Sequence, residues 1–396
     1  MIRSIHPFPA RMAPELALER LSNLQGSSIV LDPMAGSGTV LRQAGDLGHR
    51  AIGFDMDPLA VLMTRVWTTP VNDSLVTKIA DEVTKRVGDL APADAALPWM
   101  DEDQETKDFI DFWFAQPQKS DLRRIAHVLD AVGHEKIDPE EKLAVDLLRI
   151  ALSRLIITKD KGASLARDVS HSRPHRVADA VDFEVLPMFA RSIKAVRKRL
   201  VDAPPPGGTA VGLGDARSLN GIEDASIDAV LTSPPYLNAI DYMRGHRLSL
   251  VWLGHRLGDL RTIRSTSIGA ERAPDKPDDA EVHGAMRASM GEIDLLPRNF
   301  GAMIDRYVQD IRRMVDEIAR VLKAGAKATF VMGNSCLRGV FVRNSEAVAT
   351  AARFAGLCLV SEDVRPLPVQ SRYLPMTSAP LGKRMRTETI LTFSRA

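Results

Sequence analysis

The chain has 396 residues, of which 45% are hydrophobic and 26% charged, with a formal net charge of +1. This is the composition of an ordinary soluble globular chain, long enough for more than one structural unit. It excludes a uniformly basic protein, so any nucleic-acid surface must be a local patch. Two cysteines, Cys336 and Cys358, make neither a disulfide framework nor a metal cluster. No signal-like or membrane-spanning run is read: Leu147 to Ile157 is broken by Arg149 and Arg154. The expectation is a cytoplasmic protein with no membrane partner and no metal.

His6-Pro7-Phe8-Pro9-Ala10 is proline-stiffened and cannot be regular helix, whereas Pro14 to Leu24 can. Ile29 to Leu31 reads as a short strand. It runs into the turn Asp32-Pro33-Met34-Ala35-Gly36-Ser37-Gly38-Thr39 and then a periodic helix, Thr39 to Leu47. Strand, glycine turn and helix together let backbone N–H groups hold a nucleotide-like ligand. The third dinucleotide glycine is missing and no Gly-Lys-Ser/Thr follows, so neither a nicotinamide fingerprint nor a phosphate-binding P-loop fits. Ala51 to Asp55 gives a second strand ending in a carboxylate that can accept from ribose hydroxyls. Asp57 reads as the N-cap of a helix from Pro58. The plain structural alternatives are tight helix–strand packing for the glycines and a cap for Asp55.

From Val71 to about Pro206 the periodicity is helical, in Leu75–Val87, Glu105–Ala115, Asp121–Ala131, Pro139–Ile157 and Leu186–Leu200. Pro204-Pro205-Pro206-Gly207-Gly208 closes this segment before a strand at Thr209–Leu213. The segment reads as a helical insertion between the second and third strands. The loop from Asp168 to Arg176 carries His171, Arg173, His175 and Arg176, which can grip phosphates or reach base edges. The basic stretch Arg191–Arg199 is equally an ordinary partner of a helix C-terminus.

Gly214-Asp215-Ala216 ends the third strand, and Ile227 to Leu231 forms the fourth. The fourth delivers Thr232-Ser233-Pro234-Pro235-Tyr236-Leu237-Asn238 to the sheet edge. Two prolines supply carbonyl acceptors without N–H donors, Ser233 adds another acceptor, and Tyr236 offers a flat ring. Such a loop suits an amino group lying in the plane of an aromatic base. Ala239 to Leu257 places Asp241, Tyr242, Arg244, His246, Arg247, His255 and Arg256 around a core stripe of Leu248, Val251 and Trp252. Residues 258–299, rich in Gly, Pro, Asp, Arg and Ser, read as a long flexible loop. A helix Ile304–Leu322 capped at Gly325 follows, then a strand Ala328–Met332 and a helix Glu346–Phe354 capped by Asn344 or Ser345. Strands near Leu357–Val360 and Thr389–Phe393 end the pattern.

The glycine turn and the Ser233-Pro234-Pro235-Tyr236 loop together resemble the DNA amino-methyltransferases, which methylate cytosine N4 or adenine N6 from S-adenosylmethionine. The Ser-Pro-Pro-Tyr form is similar to the cytosine-N4 branch, since adenine enzymes usually carry Asp or Asn where Ser233 stands. Further matching pieces are His6-Pro7-Phe8-Pro9-Ala10-Arg11, Gly214-Asp215-Ala216-Arg217 and Arg386-Thr387-Glu388-Thr389-Ile390-Leu391. The resemblance covers about 1–70 and 205–396. It implies an α/β, Rossmann-like class I S-adenosylmethionine-dependent methyltransferase sheet of seven strands, one antiparallel, with a helical insertion. Residues 1–70 and 207–396 are then the two parts of the methyltransferase domain, and 71–206 is a candidate target-recognition region.

The resemblance also implies the site. Ser233, Pro234, Pro235 and Tyr236 are catalytic. S-adenosyl-L-methionine is held by His6, Phe8, Pro9, Asp32, Pro33, Ala35, Gly36, Ser37, Gly38, Thr39, Asp55, Met56, Asp215, Ala216 and Ser233. Double-stranded DNA is the partner, with contacts expected from Asn238, Asp241, Tyr242 and Arg244 and, on the reading of the basic loop above, from His171, Arg173 and Arg176. The lone pair of an exocyclic amine is delocalised into the ring. Ser233 Oγ and the Pro234 carbonyl would bind its hydrogens and favour a pyramidal nitrogen. The base would first be flipped out, at a cost of a few kcal/mol, and stack on Tyr236. Cytosine-C5 chemistry is disfavoured because neither cysteine has the Pro-Cys context of its nucleophile. An adenine-N6 enzyme, an RNA base-amine methyltransferase and a non-catalytic nucleic-acid-binding protein on the same scaffold stay open at this point.

Overall fold

The short apolar runs pair into one sheet in the computed structural model, which describes residues 4–7, 12–136, 138–158, 161–167, 174–237, 241–270, 278–366 and 387–396. The strands are β1 Ile29–Asp32, β2 Arg50–Asp55, β3 Thr209–Leu213, β4 Ile227–Thr232, β5 Leu322–Gly333, β6 Leu357–Pro366 and β7 Thr387–Arg395. Their order across the sheet is β6-β7-β5-β4-β1-β2-β3. The β3–β2, β2–β1, β1–β4 and β4–β5 pairs are parallel, while β7 runs antiparallel to both β5 and β6. This is the expected Rossmann-like arrangement with one antiparallel strand. Strand order reverses at β1, between β2 and β4, which opens a crevice outside the carboxyl ends of β1 and β4.

The helices are α1 Pro14–Leu21, α2 Thr39–Asp46, α3 Pro58–Thr68, α4 Asp73–Asp89, α5 Pro98–Asp101, α6 Gln104–Trp113 and α7 Gln118–Glu135. They continue as α8 Pro139–Ser153, α9 Val185–Asp202, α10 Met243–Leu250, α11 Leu257–Thr266, α12 Ala280–Ser289, α13 Gly301–Val321 and α14 Asn344–Phe354. Strand alternation feeds a core on each face of the sheet. Val30, Leu231, Val331 and Ile390 pack with Leu16 and Leu21 of α1 and with Val40, Leu41 and Ala44 of α2. Their chain neighbours Leu31, Val230, Phe330 and Leu391 join Ile311, Met314, Val315 and Ile318 of α13 and Val348 of α14 on the other face. Gly53 lets α2 press on β2, because a Cβ there would lie 2.8 Å from Leu41 Cδ2.

Between β2 and β3 the chain runs through α3 to α9, whose apolar stripes bury into a third cluster. Leu248, Val251 and Trp252, on and just after α10, and Leu260 of α11 belong to this cluster and not to the sheet's. Trp252 meets Phe114 edge-on, with ring centroids 5.1 Å apart. Trp99 Nε1 donates to the Val251 carbonyl (2.9 Å), and the Leu257 N–H donates to Thr106 Oγ1 (2.8 Å). The segment that follows the Pro-Pro loop is therefore packed into the helical part of the molecule. Among the described residues, no helix is long and apolar enough to cross a membrane.

Three sequence expectations are corrected. The stretch 258–299 is not one long flexible loop. Its described residues include most of α11, all of α12, and the short 3-10 turns Ile293–Leu295 and Arg298–Phe300. Sparse apolar residues at helical spacing (Leu260, Val282, Met286, Met290, Ile293) are buried, and the Asp279 side chain caps α12 by accepting from the Glu281 and Val282 N–H groups. Nor does Gly325 cap α13: the helix ends at Val321 and passes directly into β5, inside which Gly325 sits at φ +73°. The cap of α14 also comes from elsewhere. Asn334 Oδ1 accepts the Ser345 N–H at 3.0 Å, while Asn344 is buried and donates to the Gly333 carbonyl and Ser335 Oγ.

Candidate active site

β1 ends at Asp32, and the turn that follows folds back under α3. The Ala35 N–H donates to the Phe54 carbonyl and the Gly36 N–H to Asp55 Oδ2, both at 2.8 Å, while Thr64 Oγ1 donates to the Gly36 carbonyl at 3.1 Å. Gly38 sits at φ +82°, and a Cβ on it would lie 2.8 Å from Thr64 Oγ1, so only glycine allows this approach. Pro33, Ala35, Ser37 and Thr39 are buried in the turn, and Ser37 and Thr39 bring their hydroxyls within 3.4 Å. Asp55 also accepts the Asp57 N–H through Oδ1 at 2.9 Å. Each Asp55 oxygen keeps a lone pair for a ligand hydroxyl.

Three carboxyl groups lie here with different charge preferences, Asp32 and Asp57 buried and Asp55 half-buried. Burial pushes Asp32 up to about 7, against hydrogen bonds from Thr232 Oγ1 (2.8 Å) and the Met34 N–H (3.2 Å). Burial and the neighbouring Asp57 push Asp55 up to about 6. For Asp57 burial is outweighed by His246, which holds the carboxyl below its ordinary range. Asp57 Oδ2 bonds His246 Nδ1, and Oδ1 caps α3 by accepting the Leu59 N–H at 2.9 Å.

The Pro-Pro loop leaves β4 beside Asp32. Ser233 is exposed, and its hydroxyl donates to the Val331 carbonyl on β5 at 3.0 Å. That bond directs the hydroxyl proton inward and leaves the outer lone pairs of Ser233 Oγ free to accept. Pro234 is buried; Pro235 and Tyr236 are half-buried. Burial, with a contribution from Glu388, raises the Tyr236 hydroxyl above its ordinary range, so the ring stays neutral. Ser335 Oγ donates to the Leu237 carbonyl (2.6 Å) and accepts from Asn344 Nδ2 (2.8 Å), anchoring the loop's far end to the chain just after β5 and to α14.

Asp241 accepts from both Arg244 and Arg264. Tyr242 stacks on His246, with centroids 6.4 Å apart and planes at 24°, which ties α10 through Asp57 to the start of α3. Asp32, Asp55, Met56, the glycine turn and Ser233 thus gather at the carboxyl edge of the sheet. Asp215, at the end of β3, has its two oxygens bridged by Arg217, which also reaches Asp310 and the Thr266 carbonyl. The Ala216 side chain is buried in the sheet core. His6 is buried, with Nε2 2.9 Å from Ser153 Oγ at the end of α8 and Nδ1 2.7 Å from the Pro7 carbonyl. Arg176 lies in a small hairpin formed by Ala166–Arg167 and His175–Arg176, pairs with Asp179, and covers the Phe112 ring at 5.0 Å. Phe8, Pro9, His171, Arg173, Asn238 and Arg386 lie outside the described residues. Sequence reasoning missed the Asp57–His246 pair, Thr232 as partner of Asp32, and Arg264. The first joins residues 189 positions apart, and no local signal marks it.

The sheet order, with β7 antiparallel, is the Rossmann-like arrangement of S-adenosylmethionine-dependent methyltransferases. The Gly38 approach to Thr64 and the carboxylates at the ends of β1 and β2 fit a nucleoside-bearing cofactor. No family model matches the chain. The chain is 22% identical over 384 residues to the type II methyltransferase M.BsoBI of Geobacillus stearothermophilus, covering 84% of this chain and 73% of that one. It is 26% identical over 129 residues to the type II methyltransferase M.MvaI of Kocuria varians, covering 32% of this chain but only 28% of the relative. Among solved structures it is similar to a DNA modification methylase of Thermus thermophilus solved with S-adenosyl-L-methionine. That likeness has 17% identity, covers 46% of this chain and 53% of that one, and has a TM-score of 0.26. Over most of its length the chain is thus similar to a type II methyltransferase.

Proposed function

We propose that this protein methylates the exocyclic amine of a base flipped out of double-stranded DNA, with cytosine N4 as the target. The observation that carries this reading is the Ser233 hydroxyl, whose proton is committed to the Val331 carbonyl. Ser233 Oγ is thereby a fixed acceptor for one amine hydrogen, and the Pro234 carbonyl accepts the other. With both hydrogens held in place, the nitrogen lone pair is freed from the ring. Tyr236 stacks on the extruded base, and Leu237 and Ser335 keep the loop in register with β5. The turn Asp32–Thr39, Asp55 and Met56 hold the cofactor, which supplies a sulfonium methyl when bound. Positioning and fixed acceptors provide the acceleration, and no side chain forms a covalent bond. The helical segment with its His175–Arg176 hairpin is the target reader.

The test is transfer of labelled methyl groups to duplex DNA and to structured RNA by the wild type and by Ser233→Ala. Loss of one preorganised hydrogen-bonding group of this kind lowers turnover by about 10²- to 10³-fold. Transfer to RNA alone, or undiminished turnover in Ser233→Ala, would refute the reading.

A further inference from the structure

α10 and α11 carry a cluster of guanidinium groups that the cofactor turn and the Pro-Pro loop do not use. Arg244 and Arg264 share one carboxylate, Asp241. Arg247, on α10 between Tyr242 and the core stripe, covers the Phe109 ring of α6 at 5.1 Å, and its buried Nε has no hydrogen-bond partner among the described residues. Three guanidinium charges thus meet a single carboxylate. Arg261, one turn before Arg264, is by contrast paired with Glu105 of α6, and Arg256 with Glu102. Burial and the charges of Arg264, Arg244 and Arg261, only partly offset by Asp241, lower the Arg247 guanidinium from its ordinary range. This repulsion is held in place by the frame: Trp252 and Leu260 fix α10 and α11 in the helical core, and His246 fixes α10 to Asp57.

We propose that Arg244, Arg247 and Arg264 form a phosphodiester site, which grips the backbone of the target strand next to the extruded base. This rests on the DNA reading above and adds to it a place and a chemistry. A phosphodiester supplies the negative charge that the cluster lacks and matches the planar donor forks of arginine. Asp241 orients two of the forks, and the Phe109 ring supports the third. Because the site reads charge and not base edges, it contributes affinity equally to all sequences and sets the salt dependence of binding. It starts within ten residues of Tyr236, so it positions the strand while the Pro-Pro loop holds the base.

The experiment measures binding of a fluorescein-labelled mixed-sequence duplex across about 50 to 200 mM salt. The proteins compared are the wild type, Arg264→Gln, Arg247→Gln and the paired-arginine control Arg261→Gln. Binding of S-adenosylmethionine is measured for each as a readout of folding. Arg264 is 39% exposed, so its replacement spares the fold even if Arg247→Gln does not. The slope of log Kd against log salt is expected to fall by about one for Arg264→Gln and for Arg247→Gln. That is about a fourfold smaller loss of affinity across the range. The slope is expected to change much less for Arg261→Gln, with cofactor binding preserved throughout. A slope unchanged in Arg264→Gln, with duplex binding and methylation intact in the wild type, would overturn the phosphate site and leave the DNA reading standing. A wild type that neither binds nor methylates the duplex would overturn both.

Discussion

Asp32→Asn tests the electrostatics behind the catalytic loop. The substituted amide keeps an Oδ1 that can accept from Thr232 Oγ1 and the Met34 N–H, as the Asp32 carboxyl does, but it cannot ionise. In the folded wild type burial raises Asp32 from 3.8 to about 7. Between these values the unfolded chain has released a proton that the folded chain retains, so stability falls as pH rises through the window. At about 1.4 kcal/mol per pH unit, the full effect of this carboxyl is at most about 4 kcal/mol. It is fully favourable below about pH 4 and is lost by about pH 7. The assay is urea unfolding of wild type and Asp32→Asn at several pH values across that range. The wild type should lose up to about 4 kcal/mol relative to the variant on going from about pH 4 to about pH 7. Asp55, raised to about 6, contributes a similar slope to both proteins and cancels in the difference. Parallel stability curves for the two proteins would refute the reasoning.

Other perturbations probe other parts of the frame. Gly38→Ala forces a Cβ against Thr64 at φ +82°, and should cost about 1 to 3 kcal/mol in thermal unfolding and weaken cofactor binding measured by calorimetry. Trp252→Ala removes a side chain that is 1% exposed and should cost about 3 to 5 kcal/mol. Limited proteolysis of this variant should then open the α4–α9 segment together with α10, because they share one core. Asp57→Asn breaks a buried pair with His246 and should cost about 3 to 5 kcal/mol at neutral pH. Because Asp57 is held below its ordinary range, that loss should shrink as pH falls below about 4, as chemical unfolding across pH would register.

Much of this architecture was legible because its signals are local. An apolar run, glycines at fixed offsets and a helical stripe place β1, the turn and α2 without reference to distant residues. Asp57-Pro58 marks the start of α3 in the same way. From α4 to α9 all the helices but the four-residue α5 could be read because their charged and apolar residues repeat at 3.6. The segment 258–299 misled because Gly, Pro and Asp dominate its composition, while the few apolar residues that decide its structure are widely spaced and are buried only by tertiary packing. The carboxyl ends of the strands were readable as a site, but their electrostatics were not. Thr232 reaches Asp32 across two strands 200 positions apart in sequence, and His246 reaches Asp57 between helices. Asp215 reads as an open acceptor in sequence, yet Arg217, two residues on, folds back to engage it.

Nucleoside mass spectrometry of duplex DNA incubated with pure protein and S-adenosylmethionine tests the central claim most directly. N4-methylcytosine is the expected product, and it should fall below detection with Tyr236→Ala and be strongly reduced with Ser233→Ala. N6-methyladenine in place of N4-methylcytosine, or the same yield of N4-methylcytosine from both variants, would contradict it.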